Sequence, residues 1–198
     1  TMKNLFVLGS IAILLACNNN PKPGEVSVTS NDGKTTASID ANKLVQASDD
    51  LQKKTEELQK LPPYTLEQMK AFLPEELAGA KRAKFSANSA MGTAYAEADY
   101  TFNDSTEISL KLFDCAGQAG AGVYSMQYLG MMNFQSESDD EYTKTIDFNG
   151  GKAIEQGKKD GSRSTLTFLA ADRLLVTLEG ENTSADLLKK AAGNLNFK

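Results

Sequence analysis

The stretch AYAEADYTF, Ala94 to Phe102, decides the fold class. Ala94, Ala96, Ala98, Tyr100 and Phe102 fall on one side of it, and Tyr95, Glu97, Asp99 and Thr101 on the other. A repeat of two is the period of an extended chain with one face buried, because successive side chains of a strand point to opposite faces. Asn103-Asp104-Ser105 is turn chemistry, and after it Ile108, Leu110 and Leu112 share a face over residues 107–113. Two alternating runs joined by so short a turn pair antiparallel, since a parallel pair needs a long crossover.

The same pattern recurs downstream. Tyr142, Lys144, Ile146 and Phe148 alternate over 142–148, and Asn149-Gly150-Gly151 is a hairpin signal. Short strands are expected near 152–156, 164–170 and 173–179, separated by Asp160-Gly161 and Ala171-Asp172. The predicted buried set is Ile108, Leu110, Leu112, Leu166, Phe168, Leu174, Val176 and Leu178. A helix is expected at 118–135, and a closing helix, capped by Thr183 and Asp186, carries Leu187, Leu188, Ala191 and Leu195. Ahead of the strands, Thr65 with Gln68 reads as a capping box, followed by Leu66, Met69, Phe72 and Leu73 before Pro74. The order is helix, three strands, helix, four strands, helix. That is an α+β domain, an antiparallel sheet packed with helices, over residues 64–198.

Towards the N-terminus the composition changes. Residues 41–63 hold an amphipathic helix in which Leu44, Leu51 and Leu58 recur every seven residues, with Ala47 and Leu61 beside them, and Pro62-Pro63 ends it. Two heptads do not make a coiled coil, so the helix either lies on its own domain or serves as an arm for a partner. Residues 17–40 are rich in Asn, Ser, Thr, Pro and Gly without a hydrophobic period, the composition of a flexible tether. Residues 1–16 place Lys3 before an apolar run from Leu5 to Ala16. That is the layout of a secretory signal peptide, and the run is too short to span a bilayer, which takes roughly 20 residues.

Leu14-Leu15-Ala16-Cys17 resembles the lipobox of bacterial lipoproteins at every position. The resemblance implies that the Cys17 thiol receives a diacylglyceryl group, that the signal is cut between Ala16 and Cys17, and that the new amine is acylated. Three acyl chains, at about 0.8 kcal/mol per buried methylene, make a lasting membrane anchor. By the same analogy Asn18, in place of an inner-membrane-retaining Asp, implies the outer membrane. The lack of an acidic tract after Cys17 favours its periplasmic face over the cell surface. The C-terminal domain looks like the PsbP-like group, in which a curved antiparallel sheet lies between helices. It also resembles uncharacterised envelope lipoproteins with a Met- and Gly-rich helix ahead of a strand like Glu141-Tyr142-Thr143-Lys144-Thr145. These resemblances carry no catalytic residues.

Composition narrows the function. The net charge of −5 argues against a nucleic-acid partner, and the chain has no histidine, the commonest general base and metal ligand. Cys115, the thiol left once Cys17 is modified, has no histidine to activate it and reads as a small buried hydrophobe. Gly117-Gln118-Ala119-Gly120-Ala121-Gly122 lacks the spacing of a dinucleotide loop and points to close helix-to-sheet approach. The acidic run Glu137–Glu141 lacks the spaced ligands of a calcium loop and reads as a solvated loop. Tyr124, Met126, Tyr128, Met131 and Met132 mark one helix as core, as an adaptable groove for lipid or peptide, or as a soft metal site. Burial of Met126, Met131 and Phe134 is expected, with any pocket opening beside Tyr124 and Tyr128. The leading expectation is a non-catalytic envelope lipoprotein without cofactor or metal, binding a partner protein or an apolar ligand. The rivals are a hydrolase using Glu97, Asp99 and Asp114, whose alternation with apolar residues instead suggests an outward face, and a subunit of an outer-membrane complex.

Overall fold

The computed structural model describes residues 25–29, 36–90, 92–103, 105–132 and 134–197, with side chains from residue 47 onward. The expected signal peptide, with Ala16 and Cys17, lies outside the described residues. The chain divides into two compact units, Thr1–Ser48 and Asp49–Lys198.

In the first unit, strands β1 (Glu25–Thr29) and β2 (Thr36–Asp40) pair antiparallel, and helix α1 (Ala41–Lys60) begins directly afterwards. The tether expected over 17–40 therefore contains a two-stranded ladder. Val26 stands opposite Ile39 and Val28 opposite Ala37, so two short β-branched alternations sit within the polar composition.

The second unit holds the rest of α1, then α2 (Leu66–Ala71), β3 (Glu76–Leu77), β4 (Ala80–Ala90), β5 (Thr93–Asn103) and β6 (Thr106–Asp114). After helix α3 (Gly117–Gly130) come β7 (Gln135–Glu137), β8 (Glu141–Phe148), β9 (Gly151–Lys158), β10 (Arg163–Ala170), β11 (Leu174–Glu181) and α4 (Ala185–Gly193). The nine strands β3 to β11 form one open antiparallel sheet in the order β3-β4-β5-β6-β11-β10-β9-β8-β7. This is the α+β architecture that the alternating runs imply.

Register explains the core. Ala96 faces Leu112, Ala98 faces Leu110, and Leu178 and Val176 continue the same rows from β11. All eight residues expected inside are buried there, with Phe168 the most exposed at 4%. Met69 and Leu73 from the α2 region, and Leu188, Ala191 and Ala192 from α4, close over this face. Apolar burial of this kind contributes about 25 cal/mol per Å² removed from water. The alternate residues Phe113, Leu169 and Leu175 point to the other face. There they meet Leu51 and Leu58 of α1 and Ala121, Tyr124 and Tyr128 of α3. Leu58 is wholly buried and Thr55 shares a hydrogen bond with Ser125 at 2.8 Å, so this part of α1 lies on its own unit.

Three local expectations shift. Helix α3 ends at Gly130 rather than 135, because the Phe134 backbone pairs with Thr145 and Gln135–Glu137 joins the sheet as its edge. The cap of α4 is Ser184, whose hydroxyl accepts from the Leu187 N–H at 3.3 Å. The Thr183 hydroxyl instead donates to the Glu181 carbonyl. The capping box of α2 forms as the sequence suggests, with Thr65 and Gln68 each bonding the other's backbone. Gly120 supports the close-approach reading, since a Cβ there would lie 2.5 Å from the Cys115 carbonyl carbon. Gly122 does not, because the space beside it is open.

Candidate functional site

At one end of the sheet the β8–β9 and β10–β11 hairpins turn. Helix α3 ends there from one face and α4 from the other. Between them lies a cavity of about 670 Å³, a volume in the range of small-molecule sites. Tyr124, Tyr128, Met131 and Met132 form the α3 wall, Phe148 to Lys152 and Phe168 to Asp172 the hairpin floor, and Ala192, Leu195 and Phe197 the α4 wall.

The walls are held by local chemistry. Asn149 and Gly150 take positive φ (49° and 80°), as a two-residue hairpin with the right twist demands. Ala171 and Asp172 also sit at positive φ (48° and 58°), an uncommon conformation for non-glycine residues. Phe148 and Phe168 meet edge to face at 5.0 Å, and Tyr124 stacks on Tyr128 at 6.2 Å. Burial, with the charge of Asp172 second, pushes the Tyr124 hydroxyl above its ordinary pKa, so it stays a neutral donor.

Four of the five groove candidates therefore line the cavity, Tyr124 and Tyr128 from α3 and Met131 and Met132 from just past its end. Met126 does not: it is 76% exposed, and Phe134, also expected inside, is 50% exposed. The cause is the helix's lack of charge. Apolar residues occur all round it, so composition does not mark the solvent side. Leu129 and Met132 are exposed on the same stretch as Met126 and Phe134. Phe148, Phe168, Leu195 and Phe197 were not foreseen as lining residues. Each sits at the end of a strand or beyond a helix, where periodicity says inside or outside but not inside what.

Of the carboxylates proposed for hydrolysis, Asp114 stands apart from Glu97 and Asp99. Asp114 and Asp99 are buried, not outward-facing. Asp114 accepts from Arg173 Nε at 2.8 Å and Nη2 at 2.6 Å, from the Tyr64 N–H at 2.7 Å, and from the Ala116 N–H at 3.1 Å. It is a structural knot, with the Arg173 guanidinium also stacked 3.7 Å from the centre of the Tyr64 ring. Asp99 accepts from Ser109 and lies 3.0 Å from Lys84 Nζ. Asp99 faces Ser109, five positions from Asp114 along β6 and on the opposite face, a backbone separation of ~17 Å at ~3.3 Å per residue. Glu97 accepts from the Tyr95 hydroxyl at 3.0 Å. Glu97 and Asp99 lie two positions apart on the same side of β5.

Glu155 forms a cluster that the sequence reading missed. Only 3% exposed, it lies 3.1 Å from both Lys144 Nζ and Lys189 Nζ, and accepts from the Tyr142 hydroxyl at 3.1 Å. Burial pushes its carboxyl up, but the two lysines paired with it and the Tyr142 hydroxyl outweigh this and hold it below the ordinary value. The cluster ties α4, the wall of the cavity, to β8 and β9. Its signal was the register, in which Lys144 faces Glu155.

Cys115 is fully buried, and burial pushes its thiol up to about 12, which keeps it protonated and unreactive. Among the described residues no three His, Cys, Asp or Glu side chains gather closely enough to hold a metal ion, and no helix is long and apolar enough to cross a membrane. Comparison of the chain with protein-family models, with curated proteins and with solved structures finds no match.

Proposed function

We propose that this chain is a non-catalytic lipoprotein of the cell envelope that binds an apolar ligand in the cavity between α3 and α4. The observation that carries the reading is the cavity itself, walled by Tyr, Met, Phe and Leu side chains with a few polar groups at its hairpin floor. Methionine and aromatic walls repack around different guests, which suits a carrier of varied apolar molecules. Lipid attachment at Cys17, cleavage after Ala16 and residence at the periplasmic face of the outer membrane are the sequence-based part of the proposal. They rest on Lys3, the Leu5–Ala16 run and Leu14-Leu15-Ala16-Cys17. A curved sheet of the PsbP-like kind belongs to the proposal in the same way.

Two measurements test it. Cys17→Ser abolishes lipid labelling, and membrane retention of a cleaved Cys17→Ser form in high salt would refute the anchor. For the cavity, an environment-sensitive fatty-acid probe binds the parent chain and loses affinity at least tenfold in Leu195→Lys, which sets a charge in the α4 wall. Equal binding by both chains sinks the ligand reading. A second reading, docking of a partner protein, draws on the exposed Met126, Leu129 and Phe134. It predicts that substitutions there abolish co-purification of a protein while leaving the probe bound.

A further inference from the structure

The two edges of the sheet are finished differently. At one, β7 is three residues long and exposed, Glu137 on it is ion-paired to Lys159, and it covers the start of β8. At the other, β3 covers only Ala80 and Lys81 of the eleven-residue β4, and the Glu75 carbonyl takes the Arg82 N–H. From Lys84 to Ala90, β4 pairs with β5 alone among the described residues. Natural edge strands are guarded by charges, bulges and prolines. Lys81, Arg82, Lys84 and the bulge between Arg82 and Lys84 guard the first half of β4. The second half, Phe85-Ser86-Ala87-Asn88-Ser89-Ala90, has no charge, proline or bulge.

This half also leaves the core unfinished. Phe85 lies opposite Ala98 and Ala87 opposite Ala96, on the side where Ala94, Ala96 and Ala98 are buried. Phe85 nevertheless stays 51% exposed, with the Arg82 guanidinium 4.8 Å from its ring centre. Another strand laid along β4 would supply the backbone partners and cover that ring.

The charge pattern favours a second copy of β4 as that strand. Antiparallel pairing about a two-fold axis at Ala87 sets Ser86 against the second copy's Asn88, Phe85 against its Ser89, and Lys84 against its Ala90. The single charge of the segment meets alanine, and no like charges oppose each other. Small residues on both strands let the backbones approach. The contact is isologous, so it closes at two copies, and the guarded β7 edge does not extend it. We propose that the Lys84–Ala90 edge of β4 is a self-association surface, through which two copies join their sheets antiparallel about Ala87.

The test uses the full chain carrying Cys17→Ser, which leaves the buried Cys115 as the native thiol. Single cysteines at Phe85, Ser86, Ala87, Asn88 and Ser89 are exposed to a mild oxidant, with Asp139→Cys as a control. The disulfide-linked dimer peaks at Ala87→Cys, since the two-fold residue alone meets its own copy, at a Cβ separation of ~4.5–5.5 Å. Sedimentation without oxidant supplies the second measurement. The pair Ser86→Lys with Asn88→Lys sets lysine against lysine twice and weakens the dimer several-fold, whereas Ser86→Lys with Asn88→Glu restores it. A flat scan, a peak elsewhere, or a parent chain that stays monomeric at the highest concentration reached overturns the proposal. So does β4 capturing only an extended segment of another protein.

Discussion

Helices α4 and α3 cover opposite faces of one sheet and do so by different means. Helix α4 is amphipathic, with Leu188, Ala191 and Ala192 inside, Asp186 and Lys190 outside, and Lys189 reaching down to Glu155. Helix α3 has no charged residue from Gly117 to Gly130; it buries Gly120, Ala121 and Tyr124 and leaves Met126 and Leu129 bare. The first covering is fixed by a hydrophobic stripe plus a charge clasp. The second is fixed at its start, where Asp114 bonds the Ala116 N–H and Gly120 lies against Cys115, and loosens towards the cavity. The contrast teaches that Met126 and Leu129, exposed near the end of α3, are not needed to hold the fold.

The largest expected effect falls on the fixed start of α3. Asp114→Ala strips Arg173 of its partner and leaves two backbone donors unmet, so chemical denaturation should show a loss of about 3–5 kcal/mol. If the loss is below 1 kcal/mol, the knot is not what secures this side. Next is the pair that contrasts the two helices. Leu188→Ala should cost about 2–5 kcal/mol through the cavity it opens, and Met126→Ala less than about 0.5 kcal/mol as a surface change. Equal losses would erase the distinction between the coverings.

The charge clasp carries a pH signature. The folded carboxyl of Glu155 lies below its unfolded value, so its contribution is fully present above the unfolded pKa and fades as pH falls through the folded one. Glu155→Gln should therefore cost about 1–3 kcal/mol near neutrality, with the gap to the parent closing below about pH 4. A gap that holds constant with pH would show that packing, not charge, seats α4. A small effect of opposite sign is expected at the cavity floor. Ala171→Gly relieves a left-handed alanine, and after the added chain entropy it should raise stability by about 0.5 kcal/mol, read as a small rise in Tm.

Sequence and structure agree where a pattern has one interpretation. Period-two runs with turn signals between them yielded the antiparallel order and the buried rows from Ile108 to Leu178, because a one-residue slip would turn every such residue outward. Agreement fails where the deciding partner is distant. The burial of Asp114 depends on Arg173, 59 residues along the chain. That of Glu155 depends on Lys189, reached only once α4 folds back. On α3 the charge-free surface gave no phase, so four of the five groove residues fell at the cavity while Met126 fell outside. The β1–β2 ladder was hidden by the polar residues around Val26 and Val28.

The Asp114 knot has a mechanical consequence. Arg173 holds the Pro62 carbonyl at 2.9 Å and Asp114 holds the Tyr64 N–H, so the segment that leaves α1 is pinned to β6 and β11, neighbours in the middle of the sheet. Traction on the chain from its N-terminal side is thus delivered to two central strands, each flanked by neighbours on both sides, not to the weakly finished edge. Peeling from β4 would separate one ladder at a time at low force, whereas pulling through Pro62 and Tyr64 loads central ladders together. In a single-molecule pulling experiment Asp114→Asn should lower the rupture force without changing the length released.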